Sequence, residues 1–198
     1  SAVLAETKTA TTEDVTTGIS AALAALQASA VHDPSGVHGV MIGTTHFINA
    51  IVQARDLAPT AAIRLGLPAT AALPPISGWP ARLVTAIKGR SYLCHGGHEI
   101  DGRSIAPLRR DEIERAAEDI QAHGVQAIAI SSVYSPVNAE YELEAAEIVR
   151  ELLPDASISL SHRIGRMGLL ERENATIINA CLSELATQIC RGLAQAVS

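Results

Sequence analysis

Apolar positions along the chain follow two rhythms that take turns. Val15, Ile19, Leu23 and Leu26 recur at helical spacing behind a hydroxyl and acidic lead-in, Thr11-Thr12-Glu13-Asp14, and predict a helix over 12–29. Ahead of it, 2–8 reads as a short strand. Pro34-Ser35-Gly36 breaks the pattern, and the apolar run 37–42, too short for a helix and bounded by glycines, predicts a buried strand. Helical spacing returns over 46–55, with Ile48, Ile51 and Val52 on one side, and 60–67 again reads as a strand. Strand, helix and strand together make one βαβ unit.

The alternation then pauses. Pro68, Pro74, Pro75, Gly78 and Pro80 punctuate a loop-rich insertion over 68–107, with a helix expected at 81–87 and a short strand at 92–94. Gly96-Gly97 and Asp101-Gly102 supply turn chemistry on either side of Glu99-Ile100, which predicts a small hairpin-like excursion. Beyond Pro107 the pattern predicts a helix over 111–123, a buried strand over 125–133, a helix over 139–153 and a strand over 157–161. The last and longest helix is expected over 169–196, with Leu170, Ile177, Cys181, Leu185, Ile189 and Leu193 in one stripe. Strands alternating with helices imply the α/β class: one domain over 1–198 with a parallel-rich sheet covered by helices on both faces.

Composition narrows the function classes. With 18% charged residues and a net charge of −6, the chain lies outside both the disordered and the basic, nucleic-acid-binding corners of composition. No apolar run approaches the roughly 20 residues of a membrane span, so neither a nucleic acid nor a membrane is an expected partner. The sequence opens without a cationic leader, and its three cysteines form no disulfide framework, so a reducing, cytoplasmic setting is expected.

Candidate chemistry gathers at a few places. Gly43-Thr44-Thr45-His46-Phe47-Ile48-Asn49 sits where a predicted strand ends and a helix begins, the end at which open α/β sheets bind ligands. Two readings compete there. Glycine permits close backbone approach, the hydroxyls can donate to an oxyanion and the free N–H groups of a helix start favour phosphate; alternatively Thr45 caps the helix, Thr44 satisfies a turn and Asn49 lies on the helix surface. Cys94-His95-Gly96-Gly97-His98-Glu99 holds metal-ligating types, but neighbours on an extended segment point to opposite faces and no second cluster completes a site. No metal is expected there; the segment reads as a polar loop lining a cleft, with His98 or Glu99 reaching a ligand.

Glu171-Arg172-Glu173-Asn174 reads as a solvated charged face, with Asn174 or Asn179 a candidate for a buried amide. Ser161-His162-Arg163 follows a strand, but adjacent Ser and His do not by themselves make a nucleophile and its base. Walker-type, dinucleotide and H-E-x-x-H motifs are absent. Lys8 and Lys88 are the only lysines, so an anion site must draw on arginine, hydroxyls or backbone.

Six ordered blocks carry a family resemblance: Lys8-Thr9-Ala10-Thr11-Thr12; Met41-Ile42-Gly43-Thr44-Thr45-His46-Phe47-Ile48-Asn49-Ala50; Arg64-Leu65-Gly66-Leu67-Pro68-Ala69-Thr70; His95-Gly96-Gly97-His98-Glu99-Ile100-Asp101-Gly102-Arg103; Ser131-Ser132-Val133-Tyr134-Ser135-Pro136-Val137-Asn138; and the run from Leu160 through Ser161-His162-Arg163-Ile164-Gly165-Arg166-Met167-Gly168 to Glu171-Arg172-Glu173-Asn174-Ala175-Thr176. In them the chain resembles the N-terminal region of the hydantoinase/oxoprolinase family, ATP-dependent enzymes that open hydantoins and 5-oxoproline, with acetone-carboxylase-type subunits as relatives. The resemblance implies an actin-like ATPase (ribonuclease H-like) lobe that closes over Mg-ATP with a second lobe or partner subunit. It implies phosphoryl activation of the carbonyl oxygen of a small five-membered cyclic amide, or carboxylation in the relatives.

Of this sequence's residues, Thr44 and Thr45 best match the block suited to catalysis. Gly43, Thr44, Thr45 and Asn49 match it for cofactor binding, and His98, Glu99, Glu171 and Asn174 are cleft candidates. The family's opening Asp-x-Gly-Gly-Thr-type loop is not among these residues, so the resemblance implies a piece of a longer protein, without turnover by itself. An alternative is a non-catalytic interface segment carried by the proline-rich stretch 68–80.

Overall fold

The computed structural model describes residues 3, 5–8, 15–29 and 45–197. They divide between two compact units, one formed by residues 48–184 and the other drawn from 1–47 and 185–198. In the second of these lies α1 (Val15–Ser29), which matches the expected helix, and most of α7 (Ser183–Val197). The expected strand over 37–42 lies outside the described residues, as do Gly43 and Thr44. Val3 and residues 5–8 form no helix or strand, so the opening strand expected over 2–8 is not formed by the residues described there.

The unit 48–184 is built on four parallel strands: β1 (Thr60–Leu67), β2 (Arg90–His95), β3 (Ala127–Ser132) and β4 (Ser157–Leu160), in the order β2-β1-β3-β4. The helices around them are α2 (His46–Gln53), which begins at the unit's edge, α3 (Ala81–Ala86), α4 (Arg110–Ala122), α5 (Glu140–Leu152) and α6 (Leu169–Cys181). Period-two alternation sorts the central strands. Ala61, Ile63 and Leu65 of β1 and Ile128 and Ile130 of β3 pack against Ile113, Ala116 and Ile120 of α4 and Ala145, Ile148 and Val149 of α5. The opposite face is made of small residues, Ala62, Ala127 and Ala129, against Ile177, Ala180 and Cys181 of α6. Helices therefore cover both faces, as right-handed crossovers require when one connection runs left along the sheet and the next two run right.

The helix expected at 81–87 and the strand expected at 92–94 are both present, whereas the last helix differs from expectation. The stretch 68–107 supplies α3 and the sheet strand β2, which pairs with β1 from Ala61↔Arg90 to Leu65↔Cys94. Its hairpin-like excursion is present, with an antiparallel bridge between His98 and Ser104 and Gly102 at φ +84°. The single helix expected over 169–196 is instead two, α6 and α7, broken at Leu182. The cause lies in the last carbonyl of α6: the oxygen of Cys181 accepts a hydrogen bond from the Ala58 N–H at 2.8 Å, which ties the helix end to the chain entering β1.

No helix among the described residues is long and apolar enough to cross a membrane. Cys94 and Cys181 are buried in the two cores and Cys190 is exposed. Burial pushes the Cys94 thiol up to about 12, with the nearby Glu112 carboxylate adding to it, and burial pushes Cys181 up to about 11. At pH 8 a thiol reagent should label Cys190 and spare the other two until the protein unfolds, as counted by intact mass. Because the folded values lie above the unfolded thiol value, the stability these neutral thiols contribute is full below pH 9 and lost as pH rises toward 12. Alkaline unfolding midpoints should therefore move in Cys94→Ala relative to the parent, and an unchanged midpoint would show that the thiol does not ionise at this cost.

Candidate active site

The order β2-β1-β3-β4 creates a switch point. The chain leaves β1 toward β2 on one side and leaves β3 toward β4 on the other, so the carboxyl ends of β1 and β3 diverge; ligands of open α/β sheets bind in the crevice outside such ends. What the sequence places there is polar. Arg64 points from β1 to the α6 face and is 1% exposed, in a strand otherwise apolar apart from Thr60 at its start. Its Nε donates to Oε2 of Glu173 at 2.6 Å and Nη2 donates to Oε1, a bidentate pair, while Nη1 donates to the Leu73 carbonyl. Ser131, in register with Arg64 on β3, donates its hydroxyl to the same Glu173 Oε2 at 2.7 Å.

A second buried carboxylate serves the other side of the sheet. Glu142 in the first turn of α5 is fully buried, and it accepts the Ser132 N–H at 2.9 Å, the Ser161 hydroxyl, the His162 N–H at 3.1 Å and the His162 ring Nδ1–H at 2.6 Å. Arg172 closes the circuit. Its Nε donates to Ser161 Oγ at 2.8 Å, Nη2 to the Ser132 carbonyl at 2.5 Å, and Nη1 to the carbonyls of Arg166 and Met167 at 2.8 and 3.0 Å. Burial lowers the Arg172 pKa from its ordinary value while the carboxylates of Glu142 and Glu173 oppose that shift, so the guanidinium stays charged. The carboxyl ends of β3 and β4 are thus locked to α5 and α6 by charge-assisted bonds.

The loop after β2 crosses the top of β1 and β3. Gly97, at φ +86°, brings its backbone so close that an added Cβ would lie 3.1 Å from the Leu65 carbonyl oxygen and from Val133 Cβ. The next residue, His98, donates its N–H to the Val133 carbonyl at 3.0 Å and stacks its ring on Tyr141 with centroids 4.5 Å apart. Among the described residues its Nδ1 is buried without a hydrogen-bond partner, as is the Ser132 hydroxyl. His95, at the end of β2, pairs its Nδ1 with Glu112 in the first turn of α4 at 2.8 Å.

On the α6 side of the switch point a cavity of about 150 Å³ opens over the Arg64–Glu173 pair. Leu73, Pro74, Ile76, Trp79 and Leu170 form its apolar walls, and Ser77 and Asn174 its polar ones. The Trp79 indole N–H donates to Asn174 Oδ1 at 2.8 Å, which fixes the ring as a flat wall.

Of the residues picked out in the sequence, Asn174 lines this cavity. Glu171 is exposed on the first turn of α6, and Glu99 is exposed in the hairpin. Thr45 is exposed at the bend before α2, and Asn49 is exposed on that helix. The charged face expected at Glu171-Arg172-Glu173-Asn174 is corrected: Arg172 and Glu173 are 1% and 2% exposed, because the sheet offers each a buried partner. Asn174 and Asn179, the candidates for a buried amide, are both exposed, and the Asn179 amide donates to Ser159 Oγ at 2.9 Å. Sequence reasoning misses Arg64, Glu142 and Trp79 as site residues. Signals exist for two of them: a lone arginine inside an apolar strand demands a buried counter-charge, and Glu142 shares the helix face of Ala145, Ala146 and Val149.

A sequence model of the hydantoinase/oxoprolinase N-terminal region matches residues 1–153. The chain belongs to this family. Over 90 residues the hydantoinase/oxoprolinase chain is 36% identical to caprolactamase subunit alpha of Pseudomonas jessenii, a match that takes in 44% of this chain and 13% of that protein. It is 30% identical over 90 residues to an uncharacterised protein of Methanocaldococcus jannaschii, covering 45% of this chain and 13% of the relative. Two solved structures share the fold. The ATP-dependent caprolactamase from Pseudomonas jessenii superposes with a TM-score of 0.68 at 21% identity, over 91% of this chain and 29% of that one. Nucleotide-free acetone carboxylase superposes with a TM-score of 0.71 at 19% identity, over 96% and 31%. The α/β, ATPase-like fold expected from the sequence is the fold found. This hydantoinase/oxoprolinase chain spans less than a third of either solved relative.

The Arg64–Glu173 pair generates a test. Arg64→Met or Glu173→Leu alone leaves an uncompensated buried charge and should destabilise the protein by about 3–5 kcal/mol, whereas the double variant should lose far less than the sum. Urea unfolding measures all three, and additive losses would show that the two side chains are not coupled.

Proposed function

We propose that this chain is part of an ATP-dependent enzyme that opens a small cyclic amide by phosphoryl activation of its carbonyl oxygen. The observation that carries the reading is family membership over residues 1–153, together with the 36% identity to a caprolactamase subunit. When bound, Mg-ATP would supply a phosphoryl group to the amide oxygen, making the carbonyl carbon electrophilic enough for water to add and the C–N bond to break with a proton going to the nitrogen, and hydrolysis of the resulting acyl phosphate would release phosphate. The chain's own part is to present aligned donors and a rigid crevice. Thr45 fits a phosphate-facing role, since its exposed hydroxyl stands at the bend before the first turn of α2, the positive end of the helix dipole. Gly43 and Thr44 precede it directly, and Asn49 lies one turn on. Among the described residues no three His, Cys, Asp or Glu side chains converge on a metal position.

The crevice at the switch point suits the amide. Its floor is a buried ion pair, and Glu142, Arg172 and the serines hold the strand ends so that the floor does not relax when water is excluded. In this reading Asn174 lines the amide's pocket, whereas His98 acts from beneath the loop by positioning it. Glu99 and Glu171 sit at the rim, available to a second lobe or partner subunit.

The experiment is phosphate release from Mg-ATP by the longer parent protein with its partner subunit, in the presence of hydantoin, 5-oxoproline or caprolactam. Cyclic amides should stimulate release, and Thr45→Ala should lower it by about 100-fold, the scale of a lost transition-state donor, with the melting temperature unchanged. Stimulation by ketone plus bicarbonate in place of the amides would move the protein to carboxylation, and full turnover in Thr45→Ala would remove that residue from the chemistry.

A further inference from the structure

We propose that the cavity beside Trp79 binds a neutral ring through the edge of a cis amide, the C=O and N–H that a lactam or imide presents side by side. The inference rests on the function proposed above for the ring's identity as a substrate, and on geometry for its place. A cavity of about 150 Å³ takes a single ring, since an apolar cavity of that size engineered into a protein core holds benzene. Five apolar side chains, those of Leu73, Pro74, Ile76, Trp79 and Leu170, wall it, while the floor carries one guanidinium and one carboxylate whose charges cancel. A free phosphate, a carboxylate or an ammonium gains no net attraction from such a floor, whereas a neutral polar ring avoids the cost of burying a charge and needs only hydrogen bonds to replace its hydration.

The floor also has a direction. A guanidinium carries five N–H donors, and Arg64 spends three on Glu173 Oε1, Glu173 Oε2 and the Leu73 carbonyl, so one N–H on each terminal nitrogen has no assigned acceptor among the described residues. Glu173 Oε1 accepts one of these bonds and keeps lone-pair capacity. Donor and acceptor therefore stand next to each other, complementary to a C=O and an N–H on one edge. Ring closure forces an amide into the cis form that places both there, whereas an open-chain amide is trans and points them to opposite sides. Trp79 supplies the flat wall against which a ring lies. With its Oδ1 engaged by the indole, Asn174 is left with its amide Nδ2 as a further donor among the described residues.

The adenine base of ATP shares this chemistry, because a ring nitrogen and an exocyclic N–H also form a donor–acceptor edge on a planar ring. The test separates the two sources. Trp79 is the only tryptophan in the chain, so its emission reports directly on occupancy. The 198-residue chain is titrated with caprolactam, hydantoin, N-methylcaprolactam, open-chain N-methylacetamide and adenosine, by fluorescence and by calorimetry. Caprolactam and hydantoin should give saturable signals. N-methylcaprolactam and N-methylacetamide should bind at least about tenfold more weakly, the scale of one lost hydrogen bond. Ser77→Tyr, at an exposed wall position, should abolish binding with the melting temperature unchanged.

Saturation by adenosine but not by the amides would overturn the substrate assignment and give the cavity to a base. Equal binding of the N-methylated ring, unaffected binding in Ser77→Tyr, or no signal from any ring would overturn the site itself. In each of those cases amide-stimulated phosphate release by the longer parent remains a separate measurement, so failure of this site and failure of the proposed function are told apart.

Discussion

Successive residues of α6, Arg172 and Glu173, both leave solvent completely, and each satisfies a different part of the sheet. Glu173 accepts from Arg64 of β1 and Ser131 of β3; Arg172 donates to the Ser132 carbonyl and to the Ser161 hydroxyl that Glu142 also holds. Neighbours on a helix diverge by about 100°, so one helix can meet both demands only if it lies across the strand ends at one height and one rotation. Ion pairs of this kind add little net stability over apolar packing, but a misplaced helix would strand charges in the interior. The position of α6 is therefore set by electrostatics as much as by its apolar contacts, and the crevice above the switch point inherits that placement.

The two faces of the sheet divide the labour. Toward α4 and α5 the core is dense with isoleucine, leucine and valine, the ordinary source of burial free energy. Toward α6 the strands carry alanine, serine and one arginine, and the helix answers with Ile177, Ala180 and Cys181. The thick aliphatic layer holds the strands, and the thin polar layer shapes a cavity beside them. Tyr134, a bulky residue at φ +51° just past β3, shows that backbone strain also gathers at this end.

Much of the architecture was legible because the signals were local. Short apolar runs at Thr60–Leu67 and Ala127–Ser132, and helical spacing in Arg110–Ala122 and Glu140–Leu152, identify elements without knowledge of their partners. The break between α6 and α7 was not legible, since it depends on a hydrogen bond between residues far apart in the chain, Ala58 and Cys181. The site was legible only in part for the same reason. Charges at Glu171-Arg172-Glu173 look alike in sequence, and which two turn inward is decided by Arg64, Ser132 and Ser161 on other elements. Asn174 could be picked out from its neighbourhood, but Trp79, which holds it, sits in a proline-rich stretch that carries no periodicity to place it.

The Arg64–Glu173 bond spans 109 residues of chain, and this has a bearing on how the protein is made. During synthesis β1, β2, β3 and α5 all emerge before the carboxylate that neutralises the middle of the sheet. Loop closure over that distance comes late, and parallel sheets already fold slowly for want of local contacts. Until α6 arrives, the nascent sheet has every reason to keep Arg64 wet and its alanine face open. A chain ended at residue 153, where the family match stops, contains the arginine without its counter-charge, so the cooperative folding unit extends past the boundary that sequence similarity draws.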